Sequence, residues 1–144
     1  MPNRLLPYAG YAYALLRIVA GLLFMLHGLA KFGLLGGKRV ELMSQMGAGA
    51  VIETVAGALI LLGLFASPAA FIASGTMLVA YVQFHWFGAI EKGAPLSFLP
   101  LREGNGGETA VLYCLIFLYI ACAGSGPLSI DRLRKAEPRQ PVVA

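Results

Sequence analysis

The chain has 144 residues, 58% hydrophobic and only 12% charged, with a formal net charge of +4. Soluble domains carry roughly 25% charged residues, so this composition excludes a soluble globular enzyme and assigns the chain to a lipid bilayer. The basic residues crowd short flanks and a tail, which is a topology signal, and no nucleic-acid partner is expected.

Four stretches, about 12–33, 48–65, 68–90 and 107–124, have the length and apolarity needed to cross a hydrocarbon core about 30 Å thick. They predict an all-α, up-down-up-down transmembrane four-helix bundle over residues 1–131, followed by a basic, disordered tail over 132–144. The first stretch is too long for a signal-peptide core, and Lys31 follows it instead of a small-residue cleavage site, so it reads as a retained helix. Tyr8, Tyr11 and Tyr13 form an aromatic belt at its start, and Arg17 is placed to snorkel to nearby headgroups. The segment 38–49 reads as a loop or a short interfacial turn. Helix two closes at Gly63-Leu64-Phe65, and Pro68 suits the first turn of helix three.

Residues 91–107 hold six glycines and prolines and form the longest loop, whose apolar run 96–101 could fold back as a lid. Asn105 then caps helix four, and Glu108 lies in its first turn, where a carboxylate also suits the helix dipole. Cys114 and Cys122 are eight apart, a spacing that matches neither a redox pair nor a zinc pair, and they read as buried packing residues. An even number of spans puts both termini on one side. Arg4, Arg132, Arg134, Lys135 and Arg139 then oppose Lys38, Arg39, Lys92 and Arg102, a narrow vote for cytoplasmic termini.

Ionisable residues recur at one depth. At 1.5 Å per residue, His27 and Glu108 lie about 22 Å from the terminus side, Glu53 about 18 Å and His85 about 25 Å. A charge within a bilayer costs at least ~3 kcal/mol unless it is paired or wet, so groups in one slab are expected to face one another. Arg17, Gly21, Phe24, Gly28 and Lys31 make one stripe on helix one, and Glu53, Gly57 and Leu61 another on helix two. Their glycines suit close helix packing. Lys31 and Glu53 are natural partners, which leaves Glu108 to stay protonated or to find Arg102, a protonated histidine or a metal.

These residues resemble the DoxX family of small four-helix bacterial membrane proteins. The resemblance covers about residues 13–131. It includes Arg17, His27-Gly28 and Lys31, then Glu53 with the run from Gly57 to Leu64, Pro68-Ala69-Ala70, Asn105-Gly106-Gly107-Glu108, and Gly126-Pro127-Leu128-Ser129-Ile130-Asp131. Ala56 stands where members often carry a second glycine, and His85 has no counterpart in the pattern. The resemblance implies a multi-pass protein of the bacterial inner membrane, tied to redox or respiratory processes and to a quinol oxidase or thiosulfate-to-quinone electron transfer.

Three functional classes follow. In the leading one, an outer pocket binds a quinone head group. Glu53, Glu108 and His27 act as the proton-exchanging, catalytic groups, and Lys31, His85, Arg17 and Asn105 bind the ligand. With no flavin motif and no redox cysteine pair, electrons must come from a partner such as a soluble redox enzyme or an oxidase subunit. A metal or haem site on His27 and His85 is the weaker class, because paired Glu-x-x-His motifs are absent and Lys31 opposes a cation, so no metal ligand is assigned. In the third, the protein is an assembly subunit whose polar cluster only fixes helix packing and whose basic tail recruits a soluble enzyme. Homo-oligomerisation is compatible with all three.

Overall fold

The computed structural model describes residues 4–87 and 107–136. After a short 3-10 turn at Leu6–Tyr8 come α1 (Ala9–Lys31), α2 (Gln45–Leu62), α3 (Ala66–Ala80), α4 (Gly107–Ala123) and a short α5 (Ile130–Ala136). A π-helical segment, Tyr81–Phe87, continues α3. The first three spans are long and apolar enough to cross a membrane, and α4 is a slightly shorter apolar helix. The four-helix bundle expected from the sequence is therefore the architecture observed. Asn105, Arg102 and the lid segment 96–101 lie outside the described residues.

The helices pack in two pairs, α1 along α2 and α3 along α4, with α2 against α3 joining them. Lipid tails are as apolar as leucine, so membrane helices associate through close packing and polar contacts. Small residues supply the first. A Cβ at Gly21 would lie 2.5 Å from Leu61 N, and one at Gly57 would lie 2.5 Å from Met25 N, so α1 and α2 touch backbone to backbone. Alanines 56, 69, 70 and 73 do the same for the core around Phe24, Ile60, Phe117 and Ile120. By contrast α1 meets α4 mainly through rings, with Phe24 and Phe117 centroids 4.7 Å apart.

Local chemistry sets the ends. Ser44 is the N-cap of α2, its hydroxyl accepting from Gly47 N–H at 3.1 Å. Helix α2 thus begins within the segment read as loop or interfacial turn. Gly63, at φ +66°, closes α2 in the left-handed conformation that favours glycine. Pro68 falls in the first turn of α3, as expected.

At the terminus side a polar knot ties the bundle. Arg17 is fully buried, so it does not snorkel. Its guanidinium donates to Ile60 O at 2.6 Å, Leu61 O at 2.9 Å, Pro127 O at 3.5 Å and Leu128 O at 2.7 Å. The first two are last-turn carbonyls of α2, where a cation complements the helix dipole. Tyr13 turns inward, its hydroxyl donating to Gly124 O and its ring edge meeting Tyr119, while Tyr8 and Tyr11 stay exposed as a belt. Asp131 accepts from Ser125 Oγ at 2.5 Å and from the backbone N–H groups of Phe65 and Ala66. It thereby caps α3 from the far end of the chain. Residues 130–136, most of which the sequence reading gave to a disordered tail, form α5 on this knot. Cys114 is half-buried beside Ser74, but Cys122 is exposed, because it lies on the outward face of α4.

Candidate functional site

Lys31 and Glu53 come together from the end of α1 and the middle of α2, with Nζ 2.6 Å from Oε1. Gly28, one turn before Lys31, lets α1 lie directly on Thr54 and Ala50, which brings the lysine within reach. Glu53 is 4% exposed, and its second oxygen, Oε2, is buried without a hydrogen-bond partner among the described residues. An unsatisfied buried carboxylate oxygen costs more than a neutral one.

The pair lines two neighbouring cavities, which also share Met46, Ala80 and Phe84. One, of about 430 Å³, lies inside the bundle and is lined by His27 and Phe24 of α1, Met77 of α3, His85 of the π-helical segment, and Thr109 and Tyr113 of α4. The other, of about 380 Å³, opens between α2 and α3. Both volumes lie in the range of small-molecule sites.

His27 Nδ1 lies 2.8 Å from Leu23 O. A carbonyl only accepts, so Nδ1 carries the proton and Nε2 is the acceptor of the neutral ring. The edge of the Tyr113 ring faces His27, with centroids 6.3 Å apart. His85 stacks on Tyr81, with centroids 6.4 Å apart. The π-helical geometry that carries it occurs often at functional sites.

His27, Lys31, Glu53 and His85 therefore line one cavity, as depth counting expected. Two other candidates do not join them. Glu108 is exposed, in the first turn of α4, and lines neither cavity, because the face of α4 turned inward carries Ala110 and Tyr113. Arg17 lines neither cavity, since its donors serve carbonyls in the terminal knot. Asn105 falls outside the described residues. Tyr113, Thr109 and Gln83 also line these cavities, and a polar group within an apolar span was the available signal for them; Gln45, which lines one of them from the segment before the predicted second span, carried no such signal. Among the described residues no three His, Cys, Asp or Glu side chains gather as a metal site.

Apolar spans around a charged internal pocket define a multi-pass helical membrane protein. The DoxX family profile matches residues 12–86. A relative from Haemophilus influenzae, described as an uncharacterized protein, is 41% identical over 134 residues, covering 90% of this chain and 95% of its own. The chain belongs to the DoxX family. No solved structure matches it.

Proposed function

We propose that this protein is the quinone-binding membrane subunit of a redox system in the bacterial inner membrane, with cytoplasmic termini and the pocket toward the outer face. The observation that carries the reading is Glu53: a buried carboxylate with one oxygen held by Lys31 and the other lacking a donor among the described residues, in the lining of a largely apolar cavity. A quinol head group fits those residues, since its hydroxyl supplies the missing donor and its ring suits walls of Phe24, Met77 and Tyr113.

When bound, the quinone supplies the redox chemistry, with electrons exchanged through a partner protein. The chain's own groups bind and handle protons. Glu53 Oε2 accepts the hydroxyl hydrogen bond and takes or returns its proton, while Lys31 holds the other oxygen and supplies the counter-charge. His27, with Nδ1 tied to Leu23 O, offers Nε2 as a second proton acceptor. His85 and Tyr113 close the walls.

A second reading, an assembly subunit that recruits a soluble enzyme, is favoured by α5. This helix is anchored through Asp131 and presents Arg132, Arg134 and Lys135 exposed on its surface. Mass spectrometry of lipid extracts from purified protein decides between them. Near-stoichiometric quinone in wild type that falls in Glu53→Gln is the expected result. Quinone absent from both proteins overturns the redox site and favours the assembly role.

A further inference from the structure

Gly49 on α2 and Gly75 on α3 differ from the glycines that join α1 to α2. A Cβ at Gly21 or Gly57 would strike backbone at 2.5 Å, whereas one at Gly49 or Gly75 would meet nothing within 4 Å among the described residues. Neither has a positive φ. Close packing and backbone shape therefore do not account for them, and glycine within a helix is less favourable than alanine. What they share is the cavity of about 380 Å³ between α2 and α3, which both line.

That slot has a direction. Its rim, which includes Ala48, Gly75 and Val79, is exposed on the apolar surface of the bundle. Its walls include Ile52 and Ala80, and buried Glu53 also lines it, its Oε2 without a hydrogen-bond partner among the described residues. At one end Gln45 Nε2 donates to Gln83 Oε1, a strap between α2 and the π-helical segment. An apolar channel at the lipid-facing surface whose lining includes a buried carboxylate is complementary to an amphiphile with a long chain and a hydrogen-bonding head.

We propose that the slot is the portal and seat of the quinone's isoprenoid chain, an inference that rests on the quinone reading of the adjoining pocket. The head group meets Glu53 and Lys31. The chain runs out between α2 and α3, across Gly49 and Gly75, into the bilayer. The two glycines are there to leave the channel open.

Leucine at either position fills the slot without meeting a neighbour at its Cβ, so Gly75→Leu and Gly49→Leu, on opposite walls, are independent probes. The experiment measures binding to nanodisc-embedded protein of a long-chain ubiquinone and of the same benzoquinone ring without a chain. Each variant is expected to weaken long-chain binding by at least about tenfold while the chainless ring binds as in wild type. Unchanged binding of both ligands overturns the slot and leaves the head-group reading standing. Equal loss of both, or loss of co-purified phospholipid alone, also overturns it. If wild type binds neither ligand, the quinone reading itself fails and the chain seat falls with it.

Discussion

Lys31 Nζ lies 2.6 Å from Glu53 Oε1, and the resulting ion pair lines two neighbouring cavities. The lysine side chain is 27% exposed and the glutamate 5%, so the glutamate depends on the lysine more than the reverse. Lys31→Met strands a buried carboxylate and is expected to cost about 2–3 kcal/mol. Glu53→Gln costs less, and the double variant recovers most of the loss. Thermal unfolding in nanodiscs reads all three; a double variant no more stable than Lys31→Met would show that the two groups are not coupled.

Arg17 engages carbonyls in two directions, toward α2 and toward the segment before α5. Lysine has one nitrogen and cannot span both sets. Arg17→Lys is expected to destabilise the bundle by about 2 kcal/mol and Arg17→Met by about 3 kcal/mol or more. Denaturant unfolding monitored by helicity measures the difference, and equal stability of Arg17→Met and wild type would refute the clamp.

The glycines sort into two groups that a single substitution separates. Gly57→Leu forces α1 from α2, because its Cβ would lie 2.5 Å from Met25 N, and overpacking of this kind costs about 1–3 kcal/mol or more. Gly75→Leu is expected to leave the melting temperature at or above that of wild type. The comparison is one melting series in the same lipid.

Asp131 titrates below its ordinary value of 3.8 chiefly because Ser125 donates to it, then through the N–H groups of Phe65 and Ala66 and the nearby Arg134, against the opposing effect of burial. A carboxyl whose folded value is depressed stabilises while ionised. Its contribution is complete above about pH 4 and is lost as pH falls through the lower folded value. Hydrogen exchange over 130–136 is expected to quicken below about pH 4 in wild type, and already at neutral pH in Asp131→Asn. An identical acid response in both would refute the cap.

The parts of the site that could be read from residues alone were those with a charge to place. Lys31 had to find a carboxylate, and Glu53 is the one that the adjoining span offers. His27 and His85 fall at the same depth by the same arithmetic. Glu108 misleads because α4 is apolar on every side, so nothing in its pattern says which face turns inward. Arg17 was illegible for another reason: its partners are backbone carbonyls, which leave no mark on residue identity. The π-helical segment that carries His85 depends on a hydrogen-bond register that has no sequence signature, and Tyr113 went unnoticed because aromatic residues are common in spans.

The arginine clamp also has a temporal side. A ribosome releases Arg17 into the membrane more than a hundred residues before Pro127 and Leu128, so the first span spends its early life with a guanidinium missing half of its final acceptors. Only when the segment after α4 emerges and docks does that charge gain the carbonyls of Pro127 and Leu128. A nascent chain halted after α4 therefore keeps a guanidinium in its first helix that lacks the acceptors supplied by Pro127 and Leu128.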